Sequence, residues 1–129
     1  MAGRYLLDTN ILVALFAGEA RVREALVQAE ETFVPSVAIG ELCFGARKSG
    51  RVRANLERID ELAASTVVLV CDAETGRRYG EIKAGLWQKG HPLPENDIWI
   101  AALAVEHRLV LATRDAHFAQ VEGLETVAW

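Results

Sequence analysis

Short, continuously apolar segments alternate with longer segments of helical periodicity, and this alternation constrains the fold of the chain more than any other feature. The segments YLL, TFVP and TVVLVCD are rich in β-forming residues and lack the polar alternation of a sheet with one wet face. Strands of this kind, separated by helices, are typical of a parallel sheet covered on both faces. The sequence therefore predicts an α/β fold with three layers, α/β/α, around a central, mainly parallel sheet.

The same periodicity places the individual elements. We expect strands over 5–7, 32–35, 66–72, 109–112 and 125–128, and helices over 9–17, 20–30, 36–50, 52–64, 73–89 and 97–107. Ser36 and Asp72 are predicted N-caps, and a short helical turn is expected near His117 and Phe118. A chain of 129 residues suits one domain over residues 1–129, which buries roughly two-thirds of the surface of the unfolded chain.

The composition excludes several classes of protein. The chain is 51% hydrophobic and 25% charged, which is typical of a globular rather than a disordered protein. No apolar run approaches the roughly 18 residues of a membrane span, so we predict a cytoplasmic protein without a membrane partner. Cys43 and Cys71 are far apart within apolar runs, and we expect both thiols to be reduced and buried.

Acidic residues follow two predicted strands, at the edge of a parallel sheet where binding sites usually form. Asp8 follows YLL, Asp115 follows LVLATR, and Asp97 opens the helix that leads into the second of these strands. Each of the three has a simpler interpretation as a helix cap or a first-turn acid that complements the helix dipole. Capping is the preferred interpretation for Asp72.

Glu41 is not explained by capping. It lies five residues after Ser36, beyond the capping-box position. Its helical neighbours at three and four residues are apolar or small, so no basic side chain on its own helix can pair with it: Val37, Ala38, Phe44 and Gly45. An unpaired buried carboxylate is costly, so another group must compensate its charge.

A divalent cation would remove the repulsion among four carboxylates gathered at one edge of the sheet. Ligands that are all oxygen suit Mg²⁺ or Mn²⁺. The three histidines lack metal-ligand spacing, and no Ser, Cys or His forms an evident nucleophile arrangement, which argues against zinc and covalent catalysis. The net charge of −4 does not exclude nucleic acid, because a bound metal would offset several of the acids.

Four ordered segments together resemble the PIN domain, and they are most similar to those of the VapC-type ribonuclease toxins. These are LLDTNIL, PSVAIGELCFGA, GHPLPENDIWIAALA and LVLATRDAHF. The resemblance covers essentially the whole chain and implies a PIN-like α/β/α fold with Asp8, Glu41, Asp97 and Asp115 as catalytic and metal-binding acids. It further implies a toxin of a type II toxin–antitoxin system that hydrolyses RNA with Mg²⁺ or Mn²⁺, has a cognate VapB-type antitoxin and forms a homodimer.

Asn10 and Thr113 are expected to orient the carboxylates by hydrogen bonds. For Asn10, plain turn capping is an equally good interpretation. The expected chemistry is attack of metal-activated water on a phosphodiester, which leaves a 5′-phosphate.

Lys83, Lys89 and Arg114 are the favoured candidates for contacts with RNA phosphates. The basic segment ARKSGRVR is a weaker candidate, because it also suits a solvated turn after a helix. An antitoxin groove could be lined by the early helices, including Leu12 and Phe16, although these residues could equally be core. Trp99 is expected in the core.

Three rival interpretations stay open from the residues alone. A phosphoacceptor receiver domain also carries a Mg²⁺-binding acidic pocket, but it would need an acidic pair near the first strand and a lysine after the last. A haloacid-dehalogenase-like phosphatase would need an acid where Asn10 stands. A catalytically inert RNA-binding module of the PIN fold fits the same sequence.

Overall fold

The computed structural model describes residues 3–129, which form five strands, six α-helices and one 3₁₀ helix. In chain order these are β1 (Arg4–Leu7), α1 (Thr9–Phe16), α2 (Ala20–Gln28), β2 (Glu31–Pro35), α3 (Ser36–Arg47), α4 (Val52–Ser65), β3 (Val67–Leu69), α5 (Ala73–Lys89), α6 (Glu95–His107), β4 (Val110–Ala112), the 3₁₀ helix (Ala116–Gln120) and β5 (Thr126–Val127).

The strands form one sheet in the order β3-β2-β1-β4-β5, and every neighbouring pair is parallel. In the register, Leu6 of β1 lies opposite Phe33 on one side and Leu111 on the other. Strands β2 and β3 lie on one side of β1, and the later strands β4 and β5 lie on the other side. The order therefore reverses between β1 and β4, and open α/β sheets bind their ligands at such a switch point.

Helices cover both faces of the sheet, which confirms the predicted three layers. Because successive strand residues face opposite sides, the adjacent Leu6 and Leu7 belong to different cores. Leu7 packs with residues of α1, α3 and α4, among them Leu12, Leu42 and Ile59. Leu6 packs with residues of α5, α6 and the 3₁₀ helix, among them Leu86, Leu103 and Phe118.

The long helix α5 runs from Ala73 to Lys89 as predicted, and its ends show why. Asp72 accepts a hydrogen bond from the Thr75 amide at 3.1 Å, and the Thr75 hydroxyl accepts one from the Asp72 amide, so the two form a capping box. Gly90 ends the helix with a φ of 72°, a conformation that favours glycine.

Three local predictions are wrong: the Ser36 cap, the length of the third strand and the burial of Cys71. Ser36 does not cap α3, because it is already the first helical residue after Pro35 and makes no capping hydrogen bond. Strand β3 is shorter than predicted and only partly covered, since it lies at the edge of the sheet. Cys71 follows the end of this short strand and is exposed rather than buried, while Cys43 is partly buried; both are free thiols.

Of the two interpretations of Leu12, core and antitoxin groove, its full burial favours the core. One further placement differs from expectation. Trp99 is only partly buried and stacks on Tyr79, with 4.1 Å between ring centroids. Within the described part of the chain, no helix has the length and hydropathy that crossing a membrane requires. The cytoplasmic location stays a prediction.

Candidate active site

Strands β1 and β4 end side by side, and the first residue after β1 is Asp8. The Asp8 amide continues the ladder by donating to the Ala112 carbonyl at 3.0 Å. The Asp8 carboxylate then caps α1, accepting a hydrogen bond from the Thr9 amide at 2.8 Å. Although it is a cap, Asp8 is only 4% exposed, which is unusual for a capping carboxylate. The capping hydrogen bond therefore holds the Asp8 carboxylate at the carboxyl end of the central strand.

The second carboxylate oxygen of Asp8 is held by two polar side chains. The Thr113 hydroxyl donates to Oδ2 at 2.7 Å, and the Asn10 amide donates to the same oxygen at 3.2 Å. Asn10 is in turn fixed by the Arg114 amide, which donates to its Oδ1 at 3.2 Å. These contacts give Asp8 a single orientation, because both of its oxygens have fixed donors.

Asp115 lies beside this network, two residues after Thr113. Its amide donates to the Thr113 hydroxyl oxygen at 3.0 Å, so Thr113 links the two acids directly. The Asp115 carboxylate caps the 3₁₀ helix, accepting from the His117 amide at 2.9 Å. The imidazole Nδ1 of His117 also lies 2.9 Å from Asp115 Oδ1.

Glu41 reaches the same region from helix α3. The Thr9 hydroxyl donates to Glu41 Oε1 at 2.8 Å, which supplies a partner that helix α3 itself lacks. Thr9 thus connects Glu41 to Asp8, since its amide binds one acid and its hydroxyl the other. A hydroxyl satisfies one lone pair but provides no positive charge, so the charge of Glu41 stays uncompensated.

Asp97 lies in the first turn of α6, and the charges around it show that the four acids form one cluster. Burial raises the pKa of Asp97 to about 6, together with the negative charges of Asp8, Asp115 and Glu41, while His117 acts in the opposite direction. Burial likewise raises the pKa of Asp8, to which Glu41 and Asp115 contribute, although hydrogen bonds from Thr113 and Thr9 oppose it.

The cluster suits a hard divalent cation in its donor chemistry and charge. Its donors are oxygen atoms, and burial together with the neighbouring negative charges raises the pKa of Asp97. Between residues 3 and 129, however, no three carboxylate, imidazole or thiol groups lie close enough together to hold a metal ion with the side chains as they stand. Closure around an ion would require rotation of the less constrained side chains, since Asp8 is fixed by its hydrogen bonds.

The three predicted phosphate-binding cations are each paired with acids in the structure. Lys83 Nζ lies 2.6 Å from Glu95 Oε1. Lys89 donates to the Gln120 carbonyl at 3.1 Å and lies 3.4 Å from Glu122. Arg114 binds both carboxylate oxygens of Glu19, at 2.8 and 3.2 Å, and the Trp129 carbonyl at 2.8 Å. Two of them adjoin the acids, since Glu95, the partner of Lys83, shares the first turn of α6 with Asp97, and Arg114 directly precedes Asp115.

Sequence reasoning missed two members of the site. The sequence does not assign a role to Thr9. Its position between Asp8 and Asn10, at the end of a predicted strand, is the signal that could have indicated one. His117 was set aside for lack of metal-ligand spacing, yet it contacts Asp115 two residues before it. Its spacing suits a hydrogen bond to a capping acid rather than a metal site.

A carboxylate cluster at the switch point of a parallel α/β sheet defines this chain as an α/β protein with an acidic candidate active site. Comparison with known proteins identifies its family. Residues 5–124 match the PIN domain family. The chain is 32% identical over 131 residues to Ribonuclease VapC2 of Haemophilus influenzae, covering 98% of each chain. It is 33% identical over 129 residues to the tRNA(fMet)-specific endonuclease VapC of Shigella flexneri, again covering 98% of each.

Solved structures agree with this relationship. The fold superposes with a TM-score of 0.90 on a chain of DNA-bound VapBC from Salmonella typhimurium, at 27% identity and 98% coverage of both chains. The TM-score is 0.89 against VapBC2 of Rickettsia felis bound to a promoter DNA fragment, at 26% identity and 98% coverage of both. The chain therefore belongs to the PIN domain family, among the relatives named VapC ribonucleases.

Family membership removes two of the rival interpretations. Receiver domains have the flavodoxin-like strand order 2-1-3-4-5, whereas this sheet has the order 3-2-1-4-5. The match to the PIN domain over residues 5–124 likewise leaves no place for a haloacid-dehalogenase-like phosphatase. Asp72, the acid that a receiver interpretation would phosphorylate, is engaged in the capping box of α5.

Proposed function

We propose that this protein is the toxin of a type II toxin–antitoxin system and acts in the cytoplasm as a metal-dependent endoribonuclease. The observation that carries the proposal is the placement of Asp8, Glu41, Asp97 and Asp115 at the switch point, where burial and then the neighbouring carboxylates raise the pKa of Asp97 to about 6. A site that gathers four acids favours a positively charged ligand. The relatives named ribonucleases support RNA as the substrate.

Mg²⁺ or Mn²⁺ is the proposed cofactor, held by the four carboxylates, and it would supply a Lewis acid that activates water and neutralises charge on the scissile phosphate. Asp8 provides the fixed ligand, because Thr9, Asn10 and Thr113 determine its orientation. Thr9 aligns Glu41 with it, and Thr113 aligns Asp115. Asp97 must be ionised to contribute, so its raised pKa makes activity dependent on pH. The expected product carries a 5′-phosphate.

Lys83 is the best placed of the predicted cations to contact the RNA backbone. Its ammonium has three donors, and the structure uses two of them, on Glu95 and on the Tyr79 hydroxyl. Lys89 and Arg114 would have to leave Glu122 and Glu19 before they could bind phosphate. We therefore propose Lys83 as the principal phosphate contact, with Lys89 and Arg114 in lesser roles.

A VapB-type antitoxin is the proposed protein partner, because the neighbouring solved structures are VapBC complexes. A groove of about 270 Å³ between α1, α3 and α4 begins at the acids, where Thr9 and Glu41 line it. It continues along exposed Val13 to Phe16, whose ring lies 4.7 Å from the Arg58 guanidinium. An extended antitoxin segment in this groove would reach the carboxylates and could mask them. Substitution of Val13 by Asp should weaken antitoxin binding without abolishing cleavage.

A homodimer is the proposed oligomeric state. Phe44 of α3 is the supporting observation, since its ring is largely exposed on the protein surface and Lys48 packs over it. Burial of such a ring against a second copy would be favourable. Sedimentation of the wild-type protein and of a Phe44→Ser variant measures whether the dimer exists and whether this ring stabilises it.

The decisive experiment measures cleavage of RNA by purified, antitoxin-free protein with Mg²⁺, with Mn²⁺ and with chelator. Initiator tRNA is the first substrate to test, because the Shigella relative is named for it. Asp97→Asn should abolish cleavage, whereas Asp60→Asn, the same change at an exposed residue of α4, should leave cleavage intact. Circular dichroism establishes that both variants are folded.

Two results would contradict the proposal. Cleavage that persists in chelator, or in a folded Asp97→Asn variant, would remove the metal-dependent mechanism. RNA binding without any cleavage across a panel of structured RNAs would instead favour the inert RNA-binding module. Mapping the 5′ ends of transcripts after induction in cells would then identify the natural target.

A further inference from the structure

A cleft beside the start of α6 lies outside the cluster of four acids. It is a groove of about 510 Å³ between α5 and the start of α6, which we name the α5–α6 groove and define by Gly80, Lys83, Trp87, Leu93, Glu95 and Ile98. Its walls are mostly apolar, and Lys83 and Glu95 are its two charged residues. A concave, largely apolar cleft of several hundred Å³ with a few polar groups is typical of a site for a small planar ligand.

Trp87 forms one wall of this groove and is the most exposed tryptophan of the three. Its side chain is 84% exposed, whereas Trp129 is buried and Trp99 is partly covered by Tyr79. An indole ring left in water is costly, because it has a large apolar surface. Exposed aromatic rings beside a cationic side chain are the platforms on which the bases of single-stranded nucleic acids stack.

The polar groups of the groove are fixed in place next to this ring. Lys83 Nζ donates to Glu95 Oε1 at 2.6 Å and to the Tyr79 hydroxyl at 3.2 Å, and the Tyr79 hydroxyl also binds the Glu95 carboxylate. Stacking of Tyr79 on Trp99 holds the phenol in position. A fixed donor beside a fixed acceptor complements the edge of a nucleobase, which presents both kinds of group.

The groove lies within reach of the carboxylate cluster. Glu95 and Ile98 line the groove, and Asp97 lies between them in the first turn of α6. The groove and the carboxylate cluster therefore adjoin the same turn of α6. A nucleotide adjoining the phosphodiester bond at the acids could therefore place its base in the groove.

We propose that the α5–α6 groove binds one nucleobase of the RNA substrate, stacked on Trp87 and hydrogen-bonded to Lys83 and Glu95. This proposal rests on the proposed ribonuclease function and adds a base-binding subsite to it. A second copy of the chain suits the groove less well. Stable protein interfaces bury about 800 Å² of each partner over a broad surface, whereas this groove is a single cleft that ends at a charged pair.

Glycines on α5 provide a matched pair of test variants. A Cβ atom added at Gly80 would meet no atom within 4 Å, and the same holds for Gly85. Gly80→Leu fills the α5–α6 groove, whereas Gly85→Leu fills the neighbouring cleft that Arg78 and Lys89 line. Both changes replace glycine within a helix by a better helix former, so both proteins should fold.

Binding is measured in chelator with all variants in an Asp97→Asn background, so that the RNA is not cleaved. The probes are single-stranded RNA hexamers, one for each base, and an abasic hexamer is the control ligand. Each is titrated into the protein, and binding is followed by tryptophan fluorescence and by fluorescence anisotropy. We expect the RNA to quench Trp87, and we expect Trp87→Ala and Gly80→Leu each to weaken binding about tenfold or more. The Gly85→Leu variant should bind RNA with the affinity of the parent protein. The abasic hexamer should bind the parent protein as weakly as the RNA hexamers bind the Trp87→Ala variant.

Unchanged RNA affinity in both Trp87→Ala and Gly80→Leu would overturn the proposal. So would a change from dimer to monomer in sedimentation with RNA affinity unchanged, because the groove would then be an interface between copies. Cleavage by the chain without the Asp97 substitution is scored separately. If the protein cleaves RNA but RNA binding does not depend on Trp87, only the base subsite is rejected. If RNA binding depends on Trp87 but the protein does not cleave RNA, only the ribonuclease proposal is rejected.

Discussion

Asp8 and Asp72 occupy matching places in the chain and have opposite electrostatic properties. Each follows an apolar, β-rich segment, and each caps the helix that comes next. Hydrogen bonds from Thr75 lower the pKa of Asp72, whereas burial raises the pKa of Asp8. The difference comes from the position in the sheet, since Asp8 leaves the central strand and Asp72 follows the edge strand. A capping role therefore neither excludes nor indicates a functional acid.

The largest expected effect compares these two caps directly. Asp8→Asn removes a ligand from the cluster, and cleavage should fall by more than about 100-fold, the upper range for loss of a supporting group at a metal site. Asp72→Asn should keep its cleavage rate within about twofold of wild type, because it lies in the capping box of α5. Rates of RNA cleavage in Mg²⁺ measure both, and equal losses in the two variants would remove the distinction drawn here.

The second prediction concerns the hydroxyls that orient the acids. Thr113→Val keeps the shape of the side chain but removes the donor to Asp8 and the acceptor for the Asp115 amide. We expect Mn²⁺ affinity to fall by roughly 10- to 100-fold, as for other residues that support metal ligands. Thr66→Val, at a hydroxyl that binds only the Leu62 carbonyl, is the control and should leave the affinity unchanged. Calorimetric titration with Mn²⁺ provides a readout independent of activity.

The third prediction uses pH to separate the two kinds of acid. The folded-state pKa of Asp97 is about 6, above its ordinary value, so its neutral form is favoured and stability in chelator should decrease as pH rises from about 4 to 6. The pKa of Asp72 is lowered, so its contribution is present above its ordinary pKa and is lost as pH falls. In the Asp97→Asn variant, the free energy of unfolding should therefore decrease less between pH 4 and 6. The difference from wild type should be about 1 kcal/mol after allowance for solvent screening. Urea denaturation at several pH values tests this, and an unchanged slope would contradict it.

The smallest expected effect concerns Arg114, whose guanidinium is already paired. Arg114→Gln removes a half-exposed ion pair with Glu19 and a bond to the Trp129 carbonyl. We expect only a small decrease in the free energy of unfolding, because solvent screens an exposed ion pair. RNA affinity should change less than it does in Lys83→Gln, because Lys83 retains a donor for the backbone. A larger loss of RNA affinity in Arg114→Gln would restore Arg114 as the main phosphate contact.

Local sequence patterns predicted the sheet and most helices because hydrophobic periodicity, and at some helix ends a capping residue, is encoded locally. Helix α5 is an example, since Asp72 and Gly90 determine its limits. The exposure of Cys71 could not be predicted in the same way. It depends on β3 being an edge strand, and strand order is a long-range property that the segment TVVLVCD does not encode.

The site shows a similar division. The positions of the four acids follow from strand ends and motif spacing, because backbone topology determines where these residues lie. The partners of individual side chains depend on contacts between distant segments. Thr9 reaches Glu41 across 32 positions, and Arg114 reaches Glu19 across 95. From the sequence, Lys83 and Arg114 therefore look available to bind phosphate. In the structure, each is paired with an acidic side chain.

The hydrogen bond from Thr113 to Asp8 spans 105 positions of the chain and joins adjacent strands. During synthesis, the first carboxylate leaves the ribosome long before the threonine that orients it exists. A partly translated polypeptide therefore lacks the complete carboxylate cluster until residues 110–115 have emerged and docked. If the proposed function holds, fragments released before that point should not cleave RNA.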